Sequence, residues 1–177
     1  MLTGLISIDH TPIADQQVLI ISEKTDSILF SGKTDEKGEI CWKYSEELNR
    51  TKVYLLVKFR TDEVVSAEFR EISLPQKHPF NIDINTNELE EMNVTLQSDS
   101  GFPKRLLFSL EALSMQGIPA KLLGFLDKSD NHVSGSFYSR EFTTNSFSLK
   151  VRKGNYRISG KFIIYDRHEM INPDFNN

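Results

Sequence analysis

Four histidines and one cysteine are the side chains of this 177-residue chain best suited to hold a metal ion or attack a carbonyl. Their spacing argues against both uses. His10, His78, His132 and His168 lie far apart, no HExxH pair is present, and Cys41 has no second thiol to share a zinc ion. Cys41 falls between Glu39 and Lys43 on a strand-like segment, on the face opposite Ile40 and Trp42, with no histidine nearby to draw off its proton. It reads as an inert strand residue. The densest titratable run, Asp166-Arg167-His168-Glu169, reads as a solvated loop. GxSxG, P-loop and GxGxxG patterns are absent. The expectation is therefore a chain that is not an enzyme, with no catalytic residues, no metal site and no cofactor.

Binding chemistry has a more definite candidate. If Gly154-Asn155 makes a two-residue type II′ hairpin turn, Val151 faces Ile158, Leu149 faces Gly160 and Phe147 faces Phe162, which gathers the apolar positions on one side. On the other side Arg152 then opposes Arg157, Lys150 opposes Ser159 and Ser148 opposes Lys161. Like charges in direct opposition cost on the order of 0.2–1 kcal/mol unless an anionic group lies between them. Lys150, Arg152, Arg157 and Lys161 are accordingly the expected partner-binding residues, for an acidic protein surface or the chain's own acidic half; a plain solvated basic face is the alternative. A second surface use, sugar stacking on exposed aromatics, is weaker. Phe supplies 12 of the 18 aromatics, and the one tryptophan, Trp42, lies in phase with Ile40 and Tyr44 and is expected to be buried.

These residues must be positioned by strands. Val53, Leu55, Val57 and Phe59 alternate with Tyr54, Leu56, Lys58 and Arg60, and Ile40, Trp42 and Tyr44 alternate with Glu39, Cys41 and Lys43, the period of half-buried strands. Further strands are expected at 2–8, 18–22, 28–31, 64–69, 81–84, 93–96, 106–113, 121–126, 133–138, 147–151 and 156–164. Helix is expected only as a turn or two at 45–50 and 87–92, where Ser45 and Asn87 precede acids. The fold class that follows is all-β, two tandem Ig-like or prealbumin-like sandwiches with very little helix. Turn residues cluster at 98–103, so the expected domains are 1–98 and 104–177.

A motif supports the duplication. A Pro-led turn (Pro12), an apolar strand (Val18-Leu19-Ile20-Ile21), a Thr-led turn (Thr34-Asp35-Glu36-Lys37-Gly38) and a Tyr strand (Tyr54-Leu55-Leu56-Val57) are echoed from Pro119 to Tyr156-Arg157-Ile158. The Thr34–Ile40 segment resembles the turn-and-strand signature of carboxypeptidase regulatory-like domains, the transthyretin-like or prealbumin-like sandwiches, and 147–158 resembles their later strand, Gly turn and Tyr strand. The first copy departs by an insertion, Ser45 to Lys52, and the second by Asn145-Ser146 where glycine is expected. The resemblance implies a non-catalytic structural or protein-interaction module within a larger assembly or multidomain protein; a carbohydrate- or small-ligand-binding accessory module is the alternative. The superfamily's enzymes end in Tyr-Arg-Gly-Ser or carry a His-x-His iron pair, and neither pattern occurs.

Composition sets the outer bounds. With 38% hydrophobic and 26% charged residues the chain is ordinary globular material, and one cysteine excludes an internal disulfide. Residues 1–92 hold 10 Lys+Arg against 17 Asp+Glu, net −7, while 93–177 hold 11 against 8, net +3. That balance excludes a dedicated nucleic-acid binder, whose phosphate contacts need a dense basic surface, and permits self-association. No apolar run approaches the roughly 20 residues of a membrane span, and the N-terminus lacks the basic start of a signal peptide. Compartment is left open between the cytoplasm and a non-classical export route. Only 21 residues follow Tyr156, so the second sandwich is expected to be short of closing strands: either the chain is a piece of a longer protein, or its second sheet has an exposed edge that another chain could complete.

Overall fold

The computed structural model describes residues 1–95, 106–126, 138–144 and 146–162. The first half supplies β1 (Leu2–Ile8), β2 (Thr11–Pro12), β3 (Gln17–Ser22), β4 (Ile28–Lys33), β5 (Glu39–Trp42), β6 (Lys52–Arg60), β7 (Val64–Ser73), β8 (Phe80–Ile84) and β9 (Glu90–Thr95). The second supplies β10 (Leu106–Met115), the helix α1 (Ala120–Leu126), β11 (Tyr138–Phe142), β12 (Ser146–Val151) and β13 (Gly154–Phe162). The fold is all-β and sandwich-like. Strands lie in an outer sheet (β2-β1-β5, with β8 parallel to β1), a six-stranded middle sheet (β4-β3-β6-β7-β12-β9) and a three-stranded cap sheet (β11-β10-β13).

The middle sheet is covered on both faces. Val53, Leu55, Val57 and Phe59 of β6 join Leu2, Ile6, Trp42 and Ile82 in the core against the outer sheet. Tyr54 and Leu56 join Phe108, Leu110, Leu122 and Leu126 in the core beneath the cap sheet and α1. The half-buried strand expected from alternation is thus corrected, because the second half of the chain packs on the face expected to meet solvent. Four consecutive residues of β3, Val18-Leu19-Ile20-Ile21, are buried for the same reason. At about 1.5–3 kcal/mol per fully buried large apolar side chain, this two-sided burial makes the middle sheet the main source of stability.

The two halves also share a sheet. β12 lies between β7 and β9, pairing Lys150 and Val151 in parallel with Val64 and Val65 and running antiparallel to all six residues of β9. Hydrogen bonding therefore crosses the expected boundary between 1–98 and 104–177, while the turn cluster at 98–103 and the titratable run at 166–169 lie outside the described residues.

Three local expectations are corrected. Residues 121–126 form helix, since Pro119 opens a turn in which Leu122 accepts no solvent contact and Phe125 and Leu126 follow at i+3 and i+4 on the same buried side. The motif copies consequently diverge: the chain after Pro12 enters β3, and the chain after Pro119 enters α1. In place of helix at 87–92, a single 3₁₀ turn, Thr86–Glu88, is capped by Asn85 and β9 begins at Glu90. The 45–50 segment does contain a 3₁₀ turn, Glu46–Leu48, though Ser45 makes no side-chain cap bond.

The third correction concerns the hairpin. β12 and β13 do not pair; β12 belongs to the middle sheet and β13 runs antiparallel to β10 in the cap sheet, with Leu110 opposite Ile158 and Glu111 opposite Arg157. Gly154 lacks the positive φ a type II′ turn demands. It is small because a Cβ there would lie 2.2 Å from the Ser114 carbonyl oxygen, where β10 bulges between Ala112 and Ser114.

Candidate functional site

Separating β12 from β13 disperses the four expected partner-binding residues. Arg152, in the crossing between sheets, pairs with Glu68 of β7, donates to the Gln116 carbonyl at 3.0 Å and approaches the Ser66 hydroxyl at 3.4 Å. It fastens the cap layer to the middle sheet. Tyr156 donates its hydroxyl hydrogen to the Arg152 carbonyl, and burial pushes that phenol up to about 12 against the opposing pull of the Arg152 charge. Arg157 is exposed and pairs with Glu111 across the β10–β13 ladder at 2.7 Å. Lys150 is exposed; its backbone N–H donates to the Glu63 carbonyl at 2.7 Å. Lys161 sits opposite Leu107 in the cap sheet. Arg152 and Arg157 do not share a basic face, because each has a carboxylate of its own.

Lys150 also lines a surface cleft of about 710 Å³ with Asp9, Asp62, Glu63 and Thr86. Its walls are turns: β1–β2, β6–β7 and the 3₁₀ turn after β8. Asp9 and His10 both have positive φ (47° and 66°), the type I′ arrangement of a two-residue hairpin. Asp9 accepts the Thr86 hydroxyl at 2.6 Å and the Thr86 amide at 2.8 Å, and these donors hold its carboxyl below the usual range.

Beside it, sequence reasoning missed a Ser/His/Asp contact. Ser7 donates to one oxygen of Asp83 at 2.6 Å, and His10 Nδ1 lies 2.7 Å from the other. The order is wrong for nucleophilic catalysis, in which the imidazole would stand between hydroxyl and carboxylate. Burial works against the Asp83 charge, but the Ser7 hydroxyl and the His10 amide outweigh it and leave the carboxyl lowered, a poor base. The cluster clasps β1 to β8. Ser7 and Asp83 are opposite residues in a parallel pair, 76 positions apart, so no local pattern could have joined them.

Other candidates resolve simply. His78 is exposed; Cys41 is free and exposed on β5, on the face opposite Ile40 and Trp42 as expected. Trp42 is buried, as expected, against Phe30 and Tyr44 with ring centroids 6.1 and 5.0 Å away, so its ring is not a platform for sugars. Among the described residues no group of three or more His, Cys, Asp or Glu is placed to hold a metal ion. Among them, too, no helix is long and apolar enough to cross a membrane.

The strongest surface feature is the outer strand of the cap sheet. Among the described residues β13 has β10 as its one hydrogen-bonded neighbour. The Lys153 carbonyl accepts from Gln116 and the Asn155 amide donates to the Ser114 hydroxyl, so odd-numbered positions address β10. Alternation then turns the backbone N–H and C=O groups of Tyr156, Ile158 and Gly160 away from it, toward an edge on which no described strand pairs. Ile158 is 53% exposed although its side chain is on the face toward the middle sheet, opposite the fully buried Leu110.

No family model matches the chain, and no curated protein matches it. Among solved structures it is similar to the Bacillus anthracis TIE protein, with 14% identity over 91% of this chain and 29% of that one and a TM-score of 0.33. The chain thus spans under a third of that protein's length, and a likeness of this size carries neither fold nor role across.

Proposed function

We propose that this chain is a non-catalytic structural and protein-interaction module of the carboxypeptidase regulatory-like, transthyretin-like kind, serving within a larger assembly or multidomain protein. The observation that carries this reading is the β13 edge: a nine-residue strand paired on one side only among the described residues, with an exposed isoleucine. Such an edge recognises extended protein backbone by strand addition, with alternate side chains giving selectivity. Arginines near it are engaged in ion pairs, Arg152 with Glu68 and Arg140 with Asp62 between layers and Arg157 with Glu111 within the cap sheet.

Proline substitution tests the reading residue by residue. Ile158→Pro deletes an outward-facing N–H and leaves the β10 ladder intact, so the melting temperature should hold while partner capture is lost. Arg157→Pro deletes an inward one and should disorder the cap sheet. A partner retained equally by wild type and Ile158→Pro would rule out recognition at this edge.

A further inference from the structure

We infer that the β13 edge is occupied by a second copy of this chain, the two β13 strands pairing antiparallel about a two-fold axis at Ile158 to join two cap sheets into one of six strands. The inference rests on the interaction reading above and names its partner.

The first support is hydrogen-bond phase. A two-fold axis at Ile158 brings together residues whose backbone groups point outward, so Ile158 exchanges two hydrogen bonds with the second copy's Ile158, and Tyr156 does the same with its Gly160. An axis at a position facing β10 would have no free groups at its centre but could still engage the flanking rungs, so phase narrows the choice without closing it.

Charge closes it. With the axis at Ile158, Arg157 stands opposite Ser159, and each Arg157 keeps its 2.7 Å pair with Glu111 of its own copy. Moving the axis to Arg157 opposes two arginines. Moving it to Ser159 sets Arg157 and Lys161 on one rung. Both alternatives incur the direct like-charge opposition that cross-strand pairs avoid. The Ile158 register is the one of the three that escapes it.

Side-chain shape agrees. On the face toward the middle sheet, the rungs read Tyr156 against Gly160, Ile158 against Ile158 and Gly160 against Tyr156. The isoleucine pair shields the side chain that is 53% exposed in one copy, and glycine opposite Tyr156 adds no side chain that would crowd a ring already held by its bond to the Arg152 carbonyl. The interface is isologous and closed, as two-fold pairing requires. One strand pair buries less than the roughly 800 Å² per partner of a standard interface, so the dimer is a weak one.

Sedimentation of the full chain from about 1 to about 500 µM reads this directly, as a monomer–dimer equilibrium in that range. Ile158→Pro should weaken dimerisation by about tenfold or more with an unchanged melting temperature; Ser159→Arg, which opposes two cations, should weaken it, and Ser159→Glu, which gives Arg157 a carboxylate, should tighten it at low salt. In a Cys41→Ser background, Ile158→Cys should form a symmetric disulfide dimer under mild oxidation, since the paired Cα atoms would lie about 5.5 Å apart. A wild-type chain that stays monomeric throughout, or a dimer indifferent to Ile158→Pro, overturns the proposal. A monomeric chain that still loses a different protein partner on Ile158→Pro overturns self-pairing alone and leaves the interaction reading standing.

Discussion

β6 and β13 are both nine residues long, yet they live in opposite environments. β6 has a strand on each side and a layer on each face; it hides even Lys58, which is fully buried with Nζ donating to the Leu126 carbonyl at 3.0 Å. β13 has one neighbour among the described residues, and Arg157, Ile158, Ser159 and Gly160 are all exposed. Alternation therefore tells which side chains share a face, while place in the stack decides whether that face is dry. The first kind of strand carries stability. The second has an edge on which no described strand pairs.

The largest test of this contrast is deletion of matched side chains. Leu56→Ala in β6 should cost about 2–5 kcal/mol in urea unfolding, because the void opens between packed layers. Ile158→Ala, measured on the monomer, should stay within about 0.5 kcal/mol. Equal losses would mean that β13 is buried as well.

Lys58→Ala comes next, at about 3 kcal/mol, for it removes a buried aliphatic stem and leaves the Leu126 carbonyl without this donor. Lys58→Met, which keeps most of the stem, should cost less. A smaller effect is expected at the fastening between layers: Arg152→Ala loses the Glu68 pair and the Gln116 contact, and with the pair 20% and 25% exposed the loss should be about 1–2 kcal/mol. The smallest is acid sensitivity. Asp9 and Asp83 have carboxyls lowered in the folded state, so their contribution is complete above the unfolded carboxylate pKa and disappears as pH falls through the folded one. Asp9→Asn and Asp83→Asn should flatten the decline of stability below about pH 4.

Much of the strand content was legible in the chain. Period two at 53–60 and 147–151 marks β6 and β12, and the phase of Ile40, Trp42 and Tyr44 places Trp42 inside. What periodicity does not encode is which sheet a strand joins. Phe147, Leu149 and Val151 look alike whether they pair with β13 across a turn or slip between β7 and β9, and Gly154-Asn155 made the nearer pairing attractive. The glycine answers instead to a close approach by β10. The segment 121–126 was ambiguous because six residues are too few to separate a buried helix turn from a strand. One available signal was the unbroken apolar run in β3 and β6, which marks burial on both faces. The expected basic face depended on the hairpin register, and with β12 and β13 in different sheets Arg152 and Arg157 stand apart, each beside its own carboxylate.

Amide hydrogen exchange on dilute, monomeric protein tests the contrast most directly. The account predicts slow exchange throughout the interior of β6, slow exchange at Arg157 and Ser159, and fast exchange at Tyr156, Ile158 and Gly160. Uniform protection along β13 equal to that of β6, or rapid exchange within β6, would contradict it.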